Sequence, residues 1–275
     1  MPRGTRFLAA ALVLFGALLS PPSTRTARAV EAPDARDKAL PCRPTIACTA
    51  DIVPPGTFDV ETGAQFRSLD PAGGASRQWT FPFLVKLTLA DWVQVQVGSN
   101  GFTAARGAVP ESFFDDAQLV AKFHLVDQSA WIPSISLSGE AGIPTVRAEG
   151  YVRTYDASFI AYITKDFGPL HADFNLAWNL WRVDASPLSQ GLAALALSVN
   201  LPAPFGLMGE AYYFSNAAPI APRDGGFLFA VSLSPRTWLI FDAGGDVGFF
   251  PSTRAYSVFI GASFIPAVLW RAPGR

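Results

Sequence analysis

The chain has 275 residues, of which 50% are hydrophobic, 13% aromatic and only 16% charged. Its 21 basic and 22 acidic residues nearly cancel, which excludes a nucleic-acid footprint, and its apolar content excludes a disordered chain. Two cysteines and two histidines exclude a zinc cluster, so no metal and no cofactor is expected.

The chain opens on an export pattern. Arg3 and Arg6 are followed by an apolar or small run from Phe7 to Leu19, too short to span a bilayer as a helix. Pro21 and Pro22 end the run, and Ala27-Arg28-Ala29 fits the small-x-small cleavage pattern. Residues 1–29 therefore read as a signal peptide, and its removal leaves the mature chain acidic. Export places Cys42 and Cys48 in an oxidising compartment. They bracket PCRPTIAC, and a short Cys42–Cys48 disulfide loop is expected. Residues 30–56 are rich in Ala and Pro, carry charge and show no period, so they read as a periplasmic N-terminal segment.

From Thr57 onward one texture persists. Segments of about ten residues alternate apolar with polar or small residues, and Gly, Pro, Asp, Asn and Ser separate them. Trp92-Val93-Gln94-Val95-Gln96-Val97 sets valines on one face and glutamines on the other. From Leu170 to Leu180, one face is Leu, Ala, Phe, Leu, Trp and Leu, while the other holds His171, Asp173, Asn175 and Asn179. Such separation has a period of two and belongs to strands. The segments lie at 57–68, 77–89, 91–99, 114–126, 130–141, 155–166, 168–182, 190–201, 205–215, 225–234, 237–248 and 254–265. Twelve is an even number, as a single-chain outer-membrane barrel requires. Connections alternate too. Those near 90, 127, 168, 203 and 235 are short, and most of the others are longer. Short periplasmic turns with longer outer loops are expected of such barrels. The fold predicted is all-β, a single antiparallel transmembrane barrel over 57–267 with a C-terminal tail at 268–275.

A barrel in lipid turns its apolar face outward and its polar face to the lumen. The outward rows are long and aromatic, as in Phe81/Phe83/Val85/Leu87 and Phe227/Phe229/Val231/Leu233. Trp79, Trp92, Trp131, Trp178, Trp238 and Phe249 fall near segment ends, as interfacial girdles do. The opposite rows carry charge of both signs. The expected lumen lining is Glu61, Arg67, Lys86, Gln94, Gln96, Lys122, His124, Glu140, Tyr162, Asp173, Asn175, Asn179, Glu210, Tyr212, Asp242 and Asp246, with Trp181 and Ser134, Ser136 and Ser138 on the same faces. Mixed signs argue against strong ion selectivity. Polar and aromatic walls together suit a small, partly apolar organic solute. Twelve strands lie between filled and open barrels, so a lumen closed by its own charges is the competing expectation.

No enzyme is expected. A Ser hydrolase needs a Ser, a His base and an orienting group within reach. Only His124 and His171 are available, both are expected inward, and neither neighbours a serine in sequence. Asp115-Asp116 reads as a turn pair more readily than as a cation site.

Three stretches carry a family resemblance. SFFDDAQLVAKF, ending at Phe123, is similar to an acidic step followed by a strand of the form D-x-x-L-x-x-K-(Y/F). Ser234-Pro235-Arg236-Thr237-Trp238 ahead of Leu239 to Val247 resembles a penultimate hairpin, and Tyr256 to Phe264 resembles a closing strand. Together they resemble the outer-membrane transporter family associated with phenol meta-pathway degradation, across most of 57–265. The resemblance implies uptake or passage of small organic molecules and transfers no binding residue. One departure is that IPAVLWRAPGR follows Phe264, which places the aromatic read by barrel-assembly machinery inside the chain. The expected function is therefore a porin-like transporter in the outer membrane of a Gram-negative bacterium, passing small organic solutes by passive diffusion. Its partners are membrane lipid, solute and assembly machinery, with no nucleic acid. The alternatives are a non-conducting structural or adhesive barrel, a lipid hydrolase and a soluble secreted β-sandwich.

Overall fold

The structure is a computed structural model and describes residues 37–69, 76–106, 111–145, 157–183, 186–215, 223–250 and 255–271. The signal peptide over 1–29 lies outside the described residues, as do the start of the N-terminal segment and the end of the tail.

Among the described residues thirteen strands follow one another: β1 (Thr57–Leu69), β2 (Ser76–Ala90), β3 (Val93–Arg106), β4 (Glu111–Phe114), β5 (Ala117–Val126), β6 (Ser134–Ile143) and β7 (Ala157–Phe167), then β8 (Leu170–Val183), β9 (Ser186–Asn200), β10 (Phe205–Phe214), β11 (Asp224–Arg236), β12 (Leu239–Gly248) and β13 (Ala255–Val268). Every neighbouring pair is antiparallel, and β1 pairs with both β2 and β13, which closes the ring. β4 and β5 share one partner. β3 pairs with β5 over Val93–Ser99 and with β4 over Phe102–Ala105. The two short strands form one interrupted stave, so the barrel has twelve staves. Among the described residues the ring closes with every stave paired on both sides except over β4, which pairs with β3 alone; such closure is what a sheet in hydrocarbon requires.

The apolar rows face outward. Phe229 is 70% exposed and Ile260 65%, whereas Glu61, Ser134 and Thr164 are fully buried on the inward rows. Aromatics ring both ends. Trp92 stacks on Phe123 at 6.2 Å near the short turns, while Phe66–Trp79 and Phe227–Phe249 pair at 5.0 and 5.6 Å near the other end. The short-turn end is the periplasmic one in barrels of this type.

Several boundaries differ from the sequence reading. The segment expected at 91–99 continues to Arg106, because Gly101 takes φ +68 and carries the strand past a bulge opposite Phe81. A Cβ at Gly101 would meet the Phe81 carbonyl oxygen at 2.0 Å, so only glycine fits. The segment expected at 130–141 begins at Ser134. Pro133 has no amide to give the ladder, and Ser129 N–H closes a turn on the Ile132 carbonyl at 2.9 Å. That turn leaves Trp131 94% exposed. The last strand runs to Val268 and is fastened by Leu269 N–H to Gly56 O at 2.7 Å, so Phe264 sits within it.

The largest difference concerns the N-terminal segment. Residues 37–56, expected as a periplasmic extension, run inside the barrel. Without a period or an apolar face the segment cannot pair as a strand, but its backbone amides and carbonyls still need partners. The inward polar side chains of the barrel supply them.

Candidate functional site: the plugged lumen

The segment enters at the short-turn end. Asp37 accepts from both terminal nitrogens of Arg271, at 3.2 and 3.3 Å, and Ala39 N–H donates to Thr237 O at 3.0 Å. Ala39 packs with Ile265 and Val268. Lys86 then reaches in from β2. Its Nζ donates to Leu40 O at 2.7 Å and to Glu61 Oε1 at 2.6 Å, and lies 2.9 Å from Asp59 Oδ2. All three charged groups are buried, so the cation and the two acids stabilise one another in the absence of water.

The disulfide joins Cys42 and Cys48, with Cα atoms 4.5 Å apart. Glu61 on β1 accepts from Cys42 N–H at 2.9 Å and from Arg43 N–H at 2.8 Å. Asn175 on β8 faces Cys48, and one orientation of its amide satisfies both Cys48 backbone groups, at 2.8 and 2.9 Å. β8 lies six staves from β1 in a ring of twelve. The disulfide thus bridges opposite walls at mid-bore.

Beyond the disulfide the chain binds the β5–β8 wall. Lys122 Nζ donates to Thr49 O and Asp51 O, Ala50 N–H donates to Thr164 Oγ1 at 2.7 Å, and Ser136 Oγ donates to Ala50 O. Ser134 Oγ donates to Asp51. The path ends at Gly56, whose N–H donates to Thr88 O at 2.8 Å.

The structure places the sequence-derived candidates in three groups. Glu61, Lys86, Lys122, His124, Asn175, Glu210 and Asp242 hold the plug directly, Asp242 by pairing with Arg43 at 3.2 Å. Gln94, Gln96, Tyr162 and Asp173 line the wall beside it. Gln94 donates to Thr88, Gln96 to Gln94, Tyr162 lies under the Lys122 ammonium, and Asp173 accepts from Thr164. Arg67, Asn179, Tyr212 and Asp246 stand toward the long-loop end, with Glu140 on the same inward row as Ser134, Ser136 and Ser138. There Arg67 pairs with Asp224 at 3.5 Å, Ser158 donates to Asn179, and Tyr212 donates to Asp246 at 2.6 Å. The side chain of Trp181 lies outside the described residues.

The lining also contains residues that the sequence reading did not single out. Leu192, Ala194, Ala196 and Phe214 join the expected Tyr212 in an inward apolar patch on β9 and β10, covered by Ile46 and Ala47. Leu228, Ala230 and Phe259 form a second with Met208. The inner wall from β9 to β13 thus carries two apolar patches among polar groups such as Glu210, Asp242 and Ser257, while the inward residues from β1 to β8 are mostly polar. The available signal was the loss of alternation in Gly191 to Val199 and in Phe227 to Val231, where both faces are apolar.

A Ser-His-Asp row is present inside. His124 Nδ1 is 3.2 Å from Ser136 Oγ, and Nε2 is 2.9 Å from Asp127 Oδ1. Ser136 Oγ, however, donates to the Ala50 carbonyl and is fully buried under the plug, and Asp127 is exposed at a turn. The row holds the plug and faces away from lipid. Asp115 and Asp116 fill the break between β4 and β5. Asp115 accepts from Asn100 at 2.8 Å and Asp116 from Thr145 N–H at 2.7 Å, as turn residues do. Among the described residues no group of three or more His, Cys, Asp or Glu could hold a metal ion.

No family model and no curated protein matches the sequence. Solved structures do match in fold. The COG4313 outer membrane channel from Pseudomonas putida F1 superposes with a TM-score of 0.57 at 11% identity, over 78% of this chain and 97% of that one. The translocator domain of autotransporter NalP from Neisseria meningitidis gives 0.48 at 12% identity, over 76% of this chain and 88% of that one. The KdgM porin gives 0.44 at 11% identity, over 74% and 98%. The first likeness is one of fold: a closed, twelve-stave antiparallel barrel of the outer-membrane channel type.

Proposed function

We propose that the protein is an outer-membrane channel of a Gram-negative bacterium that passes small organic solutes by passive diffusion. One observation carries the reading. The bore carries inward apolar patches at Ala194, Ala196 and Tyr212 and at Leu228, Ala230 and Phe259, set among hydrogen-bonding groups that line every wall. A solute with an apolar or aromatic body and a polar group fits such a bore better than a simple ion does. Acids and bases pair within the lining, as in Lys86 beside Glu61 and Arg67 beside Asp224, which favours weak ion preference. The inward residues are the solute pathway in this reading, and no bond-making chemistry is assigned to them.

The test is swelling of liposomes carrying the full-length protein, in a series of solutes of equal size and falling polarity. Faster entry of the less polar members is the expected result. Equal entry at the rate of empty liposomes contradicts it. A second reading, a non-conducting structural barrel, has the plug in its favour, since residues 37–56 are bonded to opposite walls of the bore.

A further inference from the structure

The plug is not uniformly held. Its first part, residues 37–40, is tied by the Asp37–Arg271 pair, the Ala39–Thr237 bond and Lys86. Its last part, residues 49–56, is tied by Lys122, Thr164, Ser134, Ser136 and Thr88. Both ties lie at the barrel wall. Between them the disulfide pinches the chain to a neck with Cα atoms 4.5 Å apart. Residues 43–47 project from that neck as a separate small body. Thr45 braces it internally, donating to Cys42 O at 3.2 Å and to Ala47 O at 2.7 Å.

Beside the neck, Glu61 accepts from Arg43 N–H at 2.8 Å, and beyond it the projecting body meets the wall at two latches. Glu210 on β10 accepts from Ile46 N–H at 2.9 Å and from Ala47 N–H at 2.6 Å. Arg43 pairs with Asp242 on β12. Its guanidinium lies against Gly63 and Gly261, where an added Cβ would come within 2.7 and 2.4 Å of it. Ile46 and Ala47 cover the apolar patch of Ala194, Ala196 and Tyr212.

We propose that residues 43–47 are a flap, hinged at the Cys42–Cys48 neck and latched by Glu210, that swings off the apolar patch while the flanking segments stay fixed. The inference rests on the channel reading for its purpose. The covered surface is the side of the bore that a partly apolar solute would follow. The disulfide keeps the neck closed in both positions, so the flap moves as a unit and the plug does not unravel. Opening exchanges the two bonds to the Glu210 carboxylate for solvent and uncovers the small apolar patch of Ala194, Ala196 and Tyr212 for a solute.

The test uses the full-length Glu210→Ala protein and measures amide exchange with planar-bilayer conductance. Removing a charged acceptor should speed exchange at Ile46 and Ala47 about tenfold or more, with Ala39 and Ala50 unchanged. Conductance should rise above that of the unaltered protein. Unchanged protection at Ile46 and Ala47 overturns the flap. Loss of protection at all four amides overturns it as well, because the whole plug would then be moving. The expected exchange without conductance in either protein leaves the flap standing and removes the channel reading. Glu210→Gln keeps one acceptor oxygen and serves if the alanine protein does not insert. It should free one amide more than the other, and equal retention of both overturns the proposal.

Discussion

Lys86 is the residue on which the lower end of the plug depends. Its ammonium serves Glu61, Asp59 and the Leu40 carbonyl at once, all out of water. Lys86→Met leaves two buried carboxylates facing each other. It should lower stability by about 3–5 kcal/mol, seen as a lower temperature for the heat-dependent shift in gel migration. An unchanged midpoint would show that the cluster is solvated. Gly261 acts at the same scale. Gly261→Val should push the Arg43 guanidinium off Asp242, because the new Cβ would lie 2.4 Å from Arg43 Nε. The expected outcome is raised conductance with insertion unchanged. Asp173 carries charge beside the plug, so Asp173→Asn should move the reversal potential toward anions. An unshifted potential would place it off the ion path.

At the scale of elements, the interrupted stave invites a test. Asp116 holds Thr145 N–H across the break between β4 and β5. Asp116→Ala removes a charge-assisted bond and should cost about 1.5–3 kcal/mol, read from the same migration assay. Strands with one apolar face were legible in the sequence, as β8 shows. Leu176 and Trp178 point out while Asn175 and Asn179 point in, following a period that local sequence sets. β9 and β11 were legible as strands but not as linings. Their two faces are both apolar, and lipid and lumen then look alike. The break at Asp115-Asp116 was read as a turn pair, yet the continuation of β3 through Gly101 was not visible, since it depends on a bulge opposite Phe81. The plug was hidden for a different reason. Its partners Glu210 and Thr164 lie more than a hundred positions away, and a segment without period carries no mark of where its amides will be satisfied.

For the whole molecule, the barrel and its plug divide two tasks. The closed ring satisfies the backbone in lipid and turns its aromatic rows outward. The plug closes the bore through hydrogen bonds to side chains rather than through a continuous apolar core, and contacts of that kind can be exchanged for water or solute. The β9–β10 wall offers the middle of the plug an apolar seat, and that seat lies under the 43–47 flap. Ala194→Trp would fill it. Conductance should fall, and the flap should be displaced from Tyr212.

The most direct test of the account is single-channel recording of the full-length protein in a planar bilayer, with and without small aromatic solutes. The account predicts small discrete steps that the solutes block. Stable insertion with no steps, in the unaltered protein and in Glu210→Ala alike, would contradict it and leave a barrel sealed by its own N-terminal segment.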